Sequence, residues 1–239
     1  MTSPLLRSSL LAGLPGVVHG FTTRALYIPP PPPEASDPAA LAGALEALGA
    51  PGAEVAMLDQ VHGARVHVLA PGGPRWPVGP GDALVSTLPG AVVYVRVADC
   101  VPILIAGPRG VAAIHAGWRG TVAGVIQAAV AALRVATGHA PGELRAAMGP
   151  AIGPCCFEVG PEVVAGLEAH APRELFLHPR PGQRPAVDLR AVCRHIIEEL
   201  GIGQVEEIGP CTRCDRRFHS WRRDGPAAGR QAALIGVRP

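Results

Sequence analysis

A chain of 239 residues with 48% hydrophobic and 17% charged residues has the composition of a folded globular protein and fits one large domain or two small ones. Its formal charge of +2, with basic residues spread along the chain apart from Arg216–Arg217 and Arg222–Arg223, calls for neither nucleic acid nor an anionic membrane. All 21 basic residues are arginine, which excludes a Walker-type or Schiff-base lysine, and the absence of asparagine excludes an N-glycosylation sequon.

Residues 17–21 read as a strand, 29–33 as a polyproline II stretch, and 38–48 as an Ala/Leu helix ending at Gly49. Strands are predicted over 55–58 and 64–69, with His62 and Gly63 at the turn between them, followed by a Pro/Gly loop over 71–81. Residues 83–86, 91–98 and 101–106 are strand candidates, interrupted at Asp99 and Cys100. Residues 111–114 continue as a strand, after which Gly117 and Gly120 punctuate a turn around Trp118 and Arg119. Val122, Val125, Ile126, Ala129, Val130 and Leu133 then recur at helical spacing, with Thr121 as the expected N-cap. This reading puts His115 where a strand ends and a helix N-terminus, favourable to an anion, begins. Beyond it come a strand at 144–148, a Gly/Pro loop at 149–154, a helix at 162–170 and a helix at 188–200 capped by Asp188. Residues 205–208, part of 211–221, and a strand at 232–237 close the chain.

Strands outnumber helices, and several follow one another with no helix between. The expectation is therefore an α+β fold: a single compact domain with mixed β-sheets flanked by helices, partly irregular over 1–19 and 29–38. The six cysteines are irregularly spaced in a chain too large to need disulfide staples, no signal peptide is evident, and no apolar span is long enough for a membrane. A cytoplasmic, reducing setting follows as an expectation.

Three residues at turns beside strand-like segments are candidates for chemistry, His62 in QVHG, Cys100 in ADC and His115 in AIHAGW, against the plainer reading of a buried cysteine and two histidines satisfied by backbone groups. Two imidazoles and a thiolate suit zinc with one open position, and such an ion lowers the pKa of water toward roughly 7. The same residues fit two other readings. Cys100 and His115 make a metal-free nucleophile and base, with Asp99 or Asp82 orienting the histidine. Alternatively, two His and one Cys with Met57 or Met148 as axial group resemble type 1 copper, although the tight Cys–His–Met cluster is absent. Cys211 and Cys214 with His219 form at most half of a zinc ribbon, and adjacent Cys155 and Cys156 would make a strained disulfide, so packing is their default role. Arg24, Arg119 and Arg222 read either as solvated turn residues or as bidentate partners of phosphate.

The strings QVHG (60–63), DALVS (82–86), ADCVPIL (98–104), AAIHAGWRGT (112–121), GPAIGPCCFEVG (149–160), CT (211–212), RRDG (222–225) and GR (229–230) occur in this order. Together they resemble the laccase-domain family, described both as multicopper polyphenol oxidoreductases and as purine nucleoside phosphorylases. The resemblance implies that His62, Cys100 and His115 hold the metal, zinc or alternatively copper. It implies an α+β fold with mixed sheets, similar to bacterial toxin-type cysteine hydrolases. It also implies phosphate-dependent cleavage of adenosine, inosine and methylthioadenosine, and deamination of adenosine; for the latter, Asp99 or Asp82 is our candidate proton carrier. Purine nucleosides and phosphate are the expected partners, with no nucleic acid and no membrane, for a monomer or homodimer. The chain departs from the family pattern at 25–38, at Val97 in place of Thr and at Trp221 in place of Tyr.

Overall fold

The computed structural model describes residues 3–26, 28, 41–73 and 77–239. The polyproline stretch 29–33, the first three residues of the helix expected at 38–48, and residues 74–76 of the Pro/Gly loop lie outside the described residues.

Among the described residues, the strands in chain order are β1 (Leu5–Leu6), β2 (Val17–Thr22), β3 (Glu54–Ala56), β4 (Val66–Val68), β5 (Ala83–Ser86), β6 (Ala91–Val97), β7 (Val101–Gly107), β8 (Gly110–Ala116), β9 (Arg145–Met148), β10 (Leu177–His178), β11 (Ala186–Val187), β12 (Val205–Glu207) and β13 (Gln231–Val237). The helices are α1 (Ser9–Ala12), α2 (Ala42–Leu48), α3 (Trp118–Val122), α4 (Val125–Thr137), α5 (Pro161–Glu168), α6 (Arg173–Phe176), α7 (Leu189–Glu199) and α8 (Trp221–Asp224). One sheet runs β1-β2-β13-β6-β3 and a second runs β12-β9-β7-β8-β5-β4. Both are mixed: β3 joins β6, β4 joins β5, and β12 joins β9 in parallel, while the central pairings are antiparallel.

Side-chain alternation builds the layers. On β6, Val93 and Val95 face the second sheet, where they meet Leu104, Val111 and Ala113; Val92 and Tyr94 face outward onto α2. On β7, Ile103 and Ile105 point away from the first sheet, into a core shared with α4, α5 and α7. The order is helix, sheet, sheet, helices, so the inner strands are covered on both faces. That is why VPILIAG and GVAAIHA are nearly continuous apolar runs rather than alternating ones. The α+β expectation with mixed sheets stands. No helix of the described residues is long and apolar enough to cross a membrane.

Two local expectations are corrected. The helix after His115 does not begin at a Thr121 cap. It starts at Trp118 with Gly117 as N-cap, breaks at Gly124, whose φ of +87° is open to glycine, and resumes as α4. Thr121 is instead buried inside α3, its amide bonded to Gly117 O and its hydroxyl lying 3.9 Å from Cys193 Sγ. With five residues, α3 has too few aligned peptides for the helix N-terminus to act as a strong anion site. The strand expected at 111–114 also runs on to Ala116, which makes His115 the penultimate residue of β8.

Candidate metal centre

Strand order explains why three distant residues meet. In the succession β7-β8-β5-β4, β8 runs antiparallel to β7 and β5, while β4 is parallel to β5. The starts of β7, β5 and β4 and the end of β8 therefore share one sheet edge. Pro102 pairs with His115, placing Cys100, just upstream of β7, beside β8. Ala83 pairs with Ile114, bringing Asp82 to His115 from the other side, and the turn holding His62 precedes β4. One ligand atom from each of His62, Cys100 and His115 lies within 4.8 Å of the others. The two imidazole rings meet edge to face with centroids 4.8 Å apart, and Cys100 Sγ is 3.9 Å from His62 Nε2. Gly117 permits this crowding: a Cβ there would stand 3.0 Å from His62 Cδ2 and 3.1 Å from Cys100 Sγ.

Asp82, fully buried, ties the group together. Its Oδ1 lies 2.8 Å from His115 Nδ1, and its carboxylate accepts the backbone N–H groups of Val61, His62 and Gly63. A hydrogen bond to His115 Nδ1 fixes the ring so that Nε2 faces the other two candidate ligands. His62 is held at φ 59°, a left-handed conformation expensive for a non-glycine residue, by those amide contacts. Burial would raise the Asp82 carboxyl, but the hydrogen bond from His115 and the Gly63 and His62 amides hold it below the usual carboxylate range.

Burial likewise pushes Cys100 up and His115 down, yet each outweighs that for the other. His115 brings the thiol to about 6, and the Cys100 thiolate with Asp82 lifts the imidazole to about 9. A raised histidine stabilises the fold below its unfolded value and loses that contribution as pH rises through about 9. A depressed thiol stabilises above its ordinary 9.0 and loses that as pH falls through about 6. Between these limits the slopes oppose, because folding moves a proton from sulfur to imidazole. In metal-free protein, alkylation of Cys100 followed by peptide mapping is expected to titrate with a midpoint near 6, while unfolded chain titrates near 9. A folded midpoint near 9 would sink the ion-pair assignment.

The three candidate ligands open onto a pocket of about 400 Å³, within the roughly 300–1,000 Å³ range of small-molecule sites. Not every residue expected there serves it. Asp99 lines the pocket, but its carboxylate accepts from Thr212 Oγ1 at 2.7 Å and Arg222 N at 2.6 Å, which fixes its φ of 93° rather than orienting His115. Arg24 does not line the pocket; its backbone N–H and guanidinium donate to the Arg217 and Arg216 carbonyls. Arg222 lines the wall with its guanidinium donating to the carbonyls of Cys156 and Glu158. Arg119 lies over the Trp118 ring, 4.4 Å from its centroid. Met57 and Met148 are both buried and neither lines the pocket, so the type 1 copper arrangement lacks its axial methionine among the described residues.

The sequence reading missed Arg96. It lines the pocket at 5% exposure, and its Nη1 has no hydrogen-bond partner among the described residues. Burial, and then the nearby Arg230 guanidinium, lower its pKa, while Tyr94 and Asp59 act the other way. The signal was present in AVVYVRV, where an arginine interrupts an apolar strand.

Known proteins agree with this architecture. The family described as multi-copper polyphenol oxidoreductase laccase matches residues 39–238. A purine nucleoside phosphorylase of Deinococcus radiodurans is 38% identical over 251 residues, covering 98% of this chain and 93% of that protein. An adenosine deaminase, RL5, from an unknown prokaryotic organism is 40% identical over 156 residues, covering 62% of this chain and 60% of that protein. The crystal structure of the Bacillus licheniformis hypothetical protein YfiH superposes with a TM-score of 0.85 at 26% identity, covering 99% of this chain and 97% of that one.

Proposed function

The chain belongs to the multi-copper polyphenol oxidoreductase laccase family, and on that premise we propose that it is a zinc enzyme of purine nucleosides. It cleaves adenosine, inosine and methylthioadenosine with phosphate, and it deaminates adenosine. The observation that carries this reading is the convergence of His62, Cys100 and His115 at one pocket edge, with Asp82 behind them. The relatives named for phosphorolysis and for deamination support the substrate class.

The donor set of two imidazoles and a thiolate fits zinc with an open position. Zinc held by these three residues supplies a Lewis acid that makes water a nucleophile near neutral pH. The chain's own residues do the rest. Asp82 holds the proton on His115 Nδ1 and so keeps Nε2 directed at the site. Phe157, Trp118 and Trp221 offer aromatic faces along the pocket wall for a purine base. Buried Arg96, beside Arg230, is the phosphate anchor: two like charges close together in a poorly solvated wall favour a bound dianion. In phosphorolysis, a phosphate oxygen attacks ribose C1′ and the base leaves through N9; in deamination, water replaces the amino group at C6 and ammonia leaves.

Incubation with adenosine, with and without phosphate, tests the reading. The expected products are adenine and ribose 1-phosphate with phosphate, and inosine without it. Turnover of phenols by copper-loaded protein with neither purine product would replace it with the oxidase reading. The Arg96→Met variant is expected to raise KM for phosphate about 10- to 100-fold, the worth of one charge-assisted hydrogen bond. Zinc content and deamination stay unchanged in that variant. Loss of deamination in parallel would make Arg96 a structural residue instead.

The thiolate–imidazolium–carboxylate arrangement of Cys100, His115 and Asp82 also favours a second reading, a metal-free hydrolase. That reading expects full activity after metal removal and inactivation on alkylation of Cys100.

A further inference from the structure

Away from the three candidate ligands, two cysteine pairs that are distant in sequence come together. Cys155 and Cys156 lie in the loop after β9, and Cys211 and Cys214 in the segment after β12. The Ala151–Cys211 bridge and the hydrogen bond from Thr212 N to Ala151 O align the two segments. Cys214 Sγ is 3.7 Å from Cys155 Sγ and 3.4 Å from Cys156 Sγ, and the four sulfurs all lie within 4.8 Å of one another. All four are free thiols. A tetrahedron of sulfurs at a Zn–S distance of about 2.3 Å has edges of roughly 3.8 Å, close to these spacings.

The surroundings are arranged for negative sulfur. Cys211 receives the backbone N–H groups of Gly153, Arg213 and Cys214, which hold its thiol below the ordinary value against the effect of burial. The Cys156 sulfur, close to the Arg213 guanidinium, holds that guanidinium above its usual range. In the metal-free chain burial and then hydrogen bonds with the neighbouring thiols push Cys155 up, and hydrogen bonds with Cys156 and Cys211 push Cys214 up; several thiolates held this close would also oppose one another. A divalent cation removes that conflict.

We propose that Cys155, Cys156, Cys211 and Cys214 form a second, structural metal site, a tetrathiolate that takes zinc. Thiol protons are released on binding, and the residual charge of the cluster is offset by Arg213 and the three amides. The site fastens two pocket walls from behind. The loop that carries Cys155 and Cys156 also supplies Ile152 and Phe157 to the pocket, and Thr212, next to Cys211, holds Asp99. His219, which the CxxC spacing suggested as a partner, is not one of the four. The assignment is independent of the purine reading, since it uses none of the three candidate ligands at the pocket.

The experiment is a cobalt titration of the reduced, metal-stripped full chain carrying Cys100→Ser, which removes the pocket thiolate. Thiolate-to-cobalt charge-transfer and tetrahedral d–d bands are expected to saturate at one equivalent of Co²⁺ and to bleach on adding one equivalent of Zn²⁺. Adding Cys155→Ser and Cys214→Ser should abolish them. Bands that persist in the triple variant, or that never form in folded Cys100→Ser protein, overturn the proposal. If the triple variant does not fold, alkylation of the wild-type chain decides. Cys155 and Cys214 are exposed, and saturating Zn²⁺ is expected to slow their labelling more than tenfold. Labelling unaffected by Zn²⁺, or a disulfide among the four as purified, overturns it as well.

Discussion

Replacing Cys100 by serine is expected to remove zinc from the pocket and to lower phosphate-dependent release of base on the order of a thousandfold. Serine keeps the shape of the side chain but not its chemistry: its hydroxyl does not ionise near neutral pH and is a poor ligand for a borderline-soft ion. The loss reaches further than one ligand. Burial alone depresses His115, and the Cys100 thiolate is the main influence lifting it to about 9. Without it, that imidazole is held only by Asp82. The fold should survive, because Cys100 sits at a bend before β7 and belongs to none of the buried apolar clusters. A single cooperative melting transition and an unchanged far-ultraviolet circular dichroism spectrum are the control, with the melting temperature itself lowered by loss of the Cys100–His115 pair and of bound metal.

His62→Ala completes the test. His62 is exposed, and its removal leaves His115 held by Asp82 and paired with Cys100. Parallel loss of zinc and turnover in both variants supports metal chemistry. Full turnover by zinc-free His62→Ala would instead make Cys100 a nucleophile and end the zinc reading. Metal content and product release, measured on the same preparations, separate the two.

The three candidate ligands were legible in the sequence by residue type, His62, Cys100 and His115 standing beside strand-like segments. Their meeting was legible only through the family resemblance and not from spacing, since it depends on the order β7-β8-β5-β4 and on pairings such as Pro102 with His115. The strands themselves were readable from apolar runs, because burial on both sheet faces leaves that mark. Thr121 misled because its hydroxyl suits a cap, while the break that shapes the helix is set by the left-handed Gly124. The cysteine cluster was hidden for a related reason. Its halves are joined by a single long-range bridge, Ala151 to Cys211, which neither half announces. Arg24 was read as a candidate and Arg96 passed over for the same lack: local sequence shows charge, and only packing shows which guanidinium has a buried nitrogen with no partner among the described residues.

Asp82→Asn is expected to reduce zinc affinity about 10- to 100-fold, the usual effect of losing a partner behind a metal-binding histidine. It should also destabilise the metal-free fold by about 2–4 kcal/mol. Both effects have one geometric origin. Oδ1 faces His115 Nδ1 and the His62 N–H, and Oδ2 faces the Val61 and Gly63 N–H groups, so all four neighbours act as donors toward an acceptor-only group. An asparagine has one acceptor and one donor end. In either orientation its NH₂ confronts two donors, and each buried donor left unpaired costs about 1–3 kcal/mol. The turn holding His62 at positive φ loses its anchor in one orientation, and His115 loses its ring constraint in the other. Zinc competition against a chromophoric chelator and urea unfolding of metal-free protein read the two effects separately. Asp99→Asn is the matching control. Its carboxylate holds Thr212 and the Arg222 amide rather than a ligand, so zinc affinity should be unchanged while the pocket wall loosens and KM for the nucleoside rises. Asp82 and Asp99 are equally plausible carboxylates in the sequence. Zinc loss in Asp99→Asn but not in Asp82→Asn would reverse the roles assigned to them by this geometry.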